Sequence, residues 1–288
     1  SLRVGGALHY VPKFDPAAIE RALRDPRHDQ TLLFAVPTMY HRLAEAAEGD
    51  AGLREALGKP RLLVSGSAGL SLREHEHIQT LTGRGVHERY GLTETLINCG
   101  VPASHAPMPG YVGPPLPGVE LKLVDEHRNE LDARDDETIG EVAVRSAAVF
   151  SGYLNRDEAT AEVLDEDGWF YTGDLATRTA QGAIRILGRR STDLIKTGGY
   201  RVGAGEIEAC LLDHPSVREA AVAGVPDDDL GQRIEAFIVL RPGYDGDTDT
   251  LVAFVADRLS PHKRPRAIHF LDELPRNAMG KVQKKRLY

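Results

Sequence analysis

Leu62-Leu63-Val64-Ser65-Gly66-Ser67-Ala68 runs from a wholly apolar stretch straight into small residues. So short an apolar run reads as a strand buried on both faces. The small residues after it let a flat ligand approach the backbone at the strand's C-terminal end, although Ser65 to Ala68 also reads as a plain turn. Upstream, Leu32 to Val36 is a second run of the same kind. Asp15-Pro16 starts a helix, with the carboxylate as N-cap, Pro at the first helical position, and Ile19 and Leu23 on one face. Downstream, a helix from about Leu70 to Leu81 precedes another strand that enters Tyr90. Strands alternating with helices predict βα units around a parallel sheet.

The texture changes after about residue 106. Gly118-Val119-Glu120-Leu121-Lys122-Leu123, Gly140-Glu141-Val142-Ala143-Val144-Arg145 and Ala183-Ile184-Arg185-Ile186 alternate polar with apolar residues. They predict half-buried antiparallel strands, in a small barrel or a curled sheet. Gly188-Arg189-Arg190-Ser191-Thr192-Asp193 is short and polar, as a hinge would be. Beyond it, helices over Glu206–Leu212 and Asp249–Leu259 and strands over Glu219–Val225, Glu235–Leu240 and Ala267–Leu271 make a compact α+β domain. The expected architecture is a parallel-sheet α/β subdomain over residues 1–105 and a small β-barrel-like subdomain over 106–187. A hinge over 188–193 and a mobile C-terminal α+β domain over 194–288 follow. Ser1-Leu2-Arg3-Val4-Gly5-Gly6 reads as the middle of a strand and turn, so the chain is expected to start inside a domain.

With 288 residues, 41% of them hydrophobic, there is enough chain for two cores. A net charge of −8 argues against general binding to nucleic acid or anionic membranes. No apolar run approaches the roughly 18 residues of a membrane span, and no signal-peptide pattern opens the chain. Cys99 and Cys210 lie far apart without metal-ligand spacing, which predicts two reduced thiols in a cytoplasmic protein. His75 and His77 fall on different faces of one helix. They cannot share a metal and are expected on the helix surface.

Three segments carry chemistry. In Glu88-Arg89-Tyr90-Gly91-Leu92-Thr93-Glu94-Thr95, Tyr90 can lay its ring on a base and Gly91 permits close backbone approach. Thr93 can donate its hydroxyl to a phosphate, and Glu94 can hold Mg²⁺ through a hard oxygen. The segment also reads as a capped turn with Thr93 as a helix N-cap. In Tyr171-Thr172-Gly173-Asp174, the Asp can accept from the vicinal hydroxyls of a ribose, or simply form a turn. In Pro275-Arg276-Asn277-Ala278-Met279-Gly280-Lys281, the lysine is a mobile charge that can swing onto an anion, or a solvated surface group.

In that order the three segments resemble the adenylate-forming enzymes: acyl-CoA synthetases, luciferases and peptide-synthetase adenylation domains. The likeness is greatest to malonyl-CoA synthetases, including those acting on methylmalonate. Val36-Pro37-Thr38-Met39-Tyr40, the Glu-Arg before Tyr90-Gly91 and the segment ending in Lys281 carry it. The resemblance implies an ATP-dependent acid–thiol ligase that joins malonate or methylmalonate to coenzyme A through an acyl-adenylate. It implies nucleotide contacts, to ATP and then AMP, from Gly66, Ser67, Ala68, Glu88, Arg89, Tyr90, Gly91 and Thr93. Asp174 on the ribose and Lys281 on the phosphates complete the set, with Lys281, Thr93 and Glu94 catalytic and Glu94 on the metal. The Arg that accompanies Asp174 is Arg189 or Arg190, with Arg189 preferred, because the run to Asp193 is one residue longer than in most relatives.

Gly198, Gly199, Tyr200 and Arg201 are implied to line the pantetheine tunnel, and Ala204 stands where relatives often carry Pro. His262-Lys263-Arg264-Pro265 either meets the CoA phosphates or is solvated surface. Arg89, Ile97 and Asn98 are implied to face the acyl group. There the Arg89 guanidinium pairs with the far carboxylate of a short diacid, or else makes a structural ion pair with Glu88 or another acid. Ile97 replaces a common methionine, which changes the pocket's shape. The family's upstream phosphate loop, and the His-Gly pair before this region, are not among these residues, so an N-terminal segment of the same enzyme is expected as a partner. Three alternatives stand: a ligase for another short acid, a non-catalytic nucleotide or acyl-CoA module, and a peptide-synthetase adenylation domain. Glu94, Asp174 and Lys281 together speak against a module without chemistry.

Overall fold

Asp15 accepts the Ala17 N–H at 3.0 Å and Pro16 takes the first helical position, which starts α1 (Pro16–Arg24). In the computed structural model, which describes residues 5–27, 31–191, 193–276 and 282–288, two compact units are formed. One comprises Ser1–Arg89 and Val101–Gly110, the other Tyr90–Gly100 and Tyr111–Tyr288.

In the first unit β1 (Leu32–Ala35), β2 (Leu62–Ser65) and the opening of β3 (Val86–Leu92) pair in parallel, with Leu33 opposite Leu63 and Val64 opposite His87. Around them lie α2 (Pro37–Glu48), α3 (Ala51–Leu57) and α4 (Leu72–Thr82). Asp50 caps α3 through the Gly52 and Leu53 N–H groups, and Ser71 caps α4 through that of Glu74. Gly83, at φ 69°, closes α4 in the left-handed conformation. Tyr40, Ala44, Leu63, Leu70, Ile78 and Val86 make one core, and Ile19, Leu23, Leu43, Leu53 and Leu57 contribute to another. The Tyr40 hydroxyl donates to the Leu33 carbonyl at 3.0 Å, so this core phenol has its partner.

Two expectations fail here. β1 is not buried on both faces: Leu32 and Phe34, on one face, are 43% and 52% exposed, while Leu33 and Ala35, on the other, pack against the helical cores. His75 is not on the helix surface. It is buried, and its Nε2 lies 2.7 Å from the Val86 carbonyl, while His77 is the partly exposed one, on Glu48 at 3.1 Å. Burial lowers the His75 pKa.

The second unit begins with the end of β3, which turns through Thr93-Glu94-Thr95 into β4 (Leu96–Gly100). An antiparallel sheet follows, in the order β6 (Glu130–Leu131), β5 (Glu120–Val124), β7 (Gly140–Arg145), β8 (Phe170–Arg178), β9 (Ile184–Arg189), with α5 (Asp157–Val163) before β8. Of the barrel and the curled sheet left open by the sequence, it is an open sheet, with β6 and β9 at its edges. β5 is half-buried as expected, with Glu120 exposed and Leu123 and Val124 buried, but β7 is not. In β7 Val142 and Val144 enter one core with Leu123, Phe170 and Ile184, while Ala143 on the other face packs with Val124 and Tyr171. Both faces are covered, which polar–apolar alternation does not foretell.

The third sheet runs β11 (Tyr200–Gly203), β10 (Leu194–Thr197), β13 (Gly231–Leu240), β12 (Val217–Asp227), and β14 (Ala267–Phe270) pairs with β13 in parallel. Here α6 (Ala204–Leu212) and α7 (Thr248–Ala256) bury Ile207, Leu211, Leu251 and Val255 against Ile195, Val222, Ile234 and Ile238. Cys99 and Cys210 are both buried and unpaired. Among the described residues no helix is long and apolar enough to cross a membrane.

Candidate active site

In the second unit a polar cluster forms where β3, β8 and β9 bring their ends together. The Tyr90 hydroxyl donates to Asp174 Oδ2 at 2.6 Å, and Arg189 Nε lies 2.7 Å from Oδ1 of the same carboxylate. Asp174 and Arg189 are cross-strand neighbours in the β8–β9 register, which sets them side by side. Arg189 Nη1 also donates to the Thr172 carbonyl at 3.0 Å. Gly173, at φ 72°, allows the sharp bend between them. Its N–H donates to Glu141 at 2.9 Å, and the same Glu141 holds Arg190 at 2.7 Å. The two candidate arginines therefore have separate partners, Arg189 on Asp174 and Arg190 on Glu141. Burial and the adjoining Asp174 charge push the Tyr90 hydroxyl's pKa up, so it remains a donor.

Gly91 lies beside this cluster, and its lack of a side chain is required. A Cβ there would come within 1.9 Å of the Leu96 carbonyl oxygen across the hairpin. Thr93 is exposed in the turn and is not a helix N-cap, because no helix follows it. Glu94 is half-buried, with Oε1 accepting from the Tyr153 hydroxyl at 3.0 Å, and its backbone carbonyl accepts the Phe150 N–H at 2.8 Å. Its Oε2 has no protein partner among the described residues, so a hard oxygen is left for a cation, and the donor fits Mg²⁺. Among the described residues no group of three or more His, Cys, Asp and Glu could hold a metal ion by itself. Glu94 would thus be a lone protein ligand, with the remaining positions left to phosphate and water. Ile97 is 36% exposed, and Asn98 is fully buried, donating to Thr95 at 2.8 Å with its Oδ1 unpaired.

In the first unit Gly66 is buried, while Ser67 (φ 73°) and Ala68 are exposed just past β2. Glu88 is buried and accepts the N–H groups of Leu70 at 3.1 Å and Gly110 at 2.9 Å; burial pushes its carboxyl up. It does not pair with Arg89. The Arg89 guanidinium instead lies over the Phe34 ring at 4.9 Å, its Nε is buried without an acceptor, and no carboxylate among the described residues reaches it.

Gly198 and Gly199, both at positive φ, make the turn between β10 and β11. Tyr200 stacks on His262 at 4.2 Å, Arg201 pairs with Glu126 at 2.7 Å, and Lys263 pairs with Glu206 at 2.7 Å. Lys281 lies outside the described residues. Tyr153, Glu141 and Lys284, which contact or flank these groups, carried no motif that would have singled them out.

This chain belongs to the AMP-binding enzyme family: the family's main model matches residues 1–154, and that of its C-terminal domain matches residues 206–281. It is 37% identical to malonate–CoA ligase of Arabidopsis thaliana, over 97% of this chain and 49% of that protein. ATP-bound MatB from Rhodopseudomonas palustris superposes with a TM-score of 0.85 at 39% identity, covering 96% of this chain and 53% of that one. A malonyl-CoA ligase ternary product complex with methylmalonyl-CoA and AMP is 52% identical with a TM-score of 0.62, covering 96% and 58%. The chain spans about half the length of the curated relatives it matches.

Proposed function

We propose that this chain belongs to an ATP-dependent acid–thiol ligase that forms a CoA thioester from malonate or methylmalonate through an acyl-adenylate. The observation that carries the reading is the Tyr90–Asp174–Arg189 cluster, with Glu94 presented on the adjoining hairpin turn. A nucleotide needs a flat aromatic, an acceptor for the ribose hydroxyls and a metal-binding carboxylate, and this arrangement supplies all three.

In the first half-reaction a carboxylate oxygen bonds to the α-phosphorus of ATP, and the bond to pyrophosphate breaks. Bound at Glu94, Mg²⁺ would neutralise triphosphate charge. Thr93 donates its hydroxyl to a phosphate oxygen, and Lys281 stabilises the charge that builds on the leaving group. Gly66, Ser67 and Ala68 wall the adenine, and Glu88, on β3 beside Arg89, holds the backbone at Leu70 and Gly110 through their N–H groups. In the second half-reaction the CoA sulfur bonds to the acyl carbon, AMP leaves with the bonding electrons, and the thiol proton passes to solvent. Turning the 194–288 domain about the 188–193 hinge withdraws Lys281 and brings Gly198 to Arg201 to the pantetheine arm. Arg89 binds the distal carboxylate, and Ile97 and Asn98 shape the space for the α-substituent. Two buried, unpaired thiols suit a reducing cytoplasm.

The test is ATP–pyrophosphate exchange by the complete protein over a panel of mono- and dicarboxylates. Exchange with malonate or methylmalonate above butyrate is expected. A preference for a short monoacid would keep the ligase and change its acid, and ATP binding without exchange for any acid would make the protein a binding module.

A further inference from the structure

Lys284 follows Lys281 by three residues, in a tail that is tied down just after it: Val282 bridges Arg276, and the Gln283 N–H donates to the Pro275 carbonyl at 2.8 Å. Its ammonium is largely buried between two carboxylates, that of Asp193 and that of Glu208, the latter at 2.6 Å. Burial alone would lower the Lys284 pKa, but Glu208 and Asp193 outweigh it and hold the group charged. Glu208, on α6, also accepts the Val222 N–H at 2.7 Å, and burial pushes its carboxyl up.

Asp193 is the more telling partner. Its Oδ2 accepts the Arg189 N–H at 2.7 Å, its N–H donates to the Arg189 carbonyl at 2.6 Å, and its carbonyl accepts the Ala204 N–H at 2.7 Å. The Arg189 side chain in turn holds Asp174. A hydrogen-bonded path therefore runs from Asp174 through Arg189 and Asp193 to Lys284.

We propose that Lys284 is a positioning residue that fastens the tail carrying Lys281 to the hinge residue Asp193. This rests on the reading of Lys281 as the adenylation lysine. Lys284 stands three residues after Lys281 in the chain, so holding its ammonium on Asp193 links the backbone that leads out of that segment to the hinge residue. A surface ion pair could not do this, because it is worth little and is easily exchanged for water. Removing one member of a buried triad leaves the others without compensation, so the arrangement specifies one geometry of the tail.

The experiment compares Lys284→Met, Lys284→Arg and Asp193→Asn in the complete protein. Asparagine at 193 still accepts the Arg189 N–H, so this variant loses the charge but not the turn. Adenylate formation, read by ATP–pyrophosphate exchange, is expected to slow about tenfold or more in Lys284→Met and Asp193→Asn, through kcat and not the KM for ATP. Thioester formation from supplied acyl-adenylate should stay within about threefold, and Lys284→Arg should recover most of the first step. Hydrogen exchange at the amides of Arg189, Asp193, Ala204 and Val282 to Leu287 should accelerate in both charge-removing variants.

Equal loss in both half-reactions with an unchanged melting temperature overturns the proposal, and so does unaltered amide exchange. Should the unmodified protein make no adenylate, the functional reading fails and the amides alone judge the fastening. Should Lys284→Met not fold, Asp193→Asn decides between the outcomes.

Discussion

The Arg89 guanidinium rests on the Phe34 ring with its Nε buried and unsatisfied, a costly state for a cation that has no acid partner among the described residues. A substrate carboxylate would relieve that cost. Arg89→Ala is therefore expected to lower kcat/KM for malonate or methylmalonate at least about tenfold, a desolvated charge pair being worth roughly 2–5 kcal/mol. ATP binding should be nearly unchanged, and butyrate should gain relative to malonate. Arg89→Lys should rescue poorly, since an ammonium lacks the planar fork. Competition between malonate and butyrate reads this directly, and an unaltered preference would move the anchor elsewhere. At Tyr90 the expectation is narrower. Tyr90→Phe keeps the ring but removes the donor to Asp174, a hydrogen bond to a charged group worth about 1.5–3 kcal/mol. The KM for ATP should rise while the ratio of malonate to butyrate stays the same, and a change in that ratio would tell against a purely nucleotide role.

At the scale of the element, the Thr93-Glu94-Thr95 hairpin depends on Gly91. Gly91→Ala would drive a methyl into the Leu96 carbonyl, and backbone cannot give way as a flexible side chain can. Thermal unfolding should show a loss of several degrees together with lost exchange activity; an unchanged melting curve would mean that the hairpin yields cheaply. The motif around Gly91 was legible in the sequence, but the hairpin was not. No Asn-Gly or Asp-Gly marks the turn, and a Thr before Glu has the look of a helix start. Leu62-Leu63-Val64 was readable as a strand because apolar runs have few other uses. Leu32 to Val36 has the same composition yet forms an edge, since exposure depends on neighbours that composition does not name. The burial of β7 on both faces was hidden for the same reason, because Glu141 reads as solvent-facing and is instead covered by Arg190. Asp174 could be marked from its motif. Its pairing with Arg189 needed the β8–β9 register, which a strand pattern leaves undetermined.

For the whole molecule, the question is whether one lysine serves one half-reaction only. Lys281 was conspicuous in the sequence through its Gly-containing segment, although it lies outside the described residues. The β12–β13–β14 sheet and α6 share a core of their own, and the two feet of the segment hold each other, Arg276 bridging Val282 and the Gln283 N–H donating to the Pro275 carbonyl. Lys281→Ala should then slow adenylate formation by orders of magnitude, because a charge interaction made mainly in the transition state is lost. Thioester formation from supplied acyl-adenylate should fall far less if, as proposed, the lysine is withdrawn in that step. The two half-reactions are to be measured on one preparation, with the melting temperature as a control for folding. Equal losses in both, with the fold intact, would mean that the lysine stays in one place throughout, and the alternation of the domain would have to be abandoned.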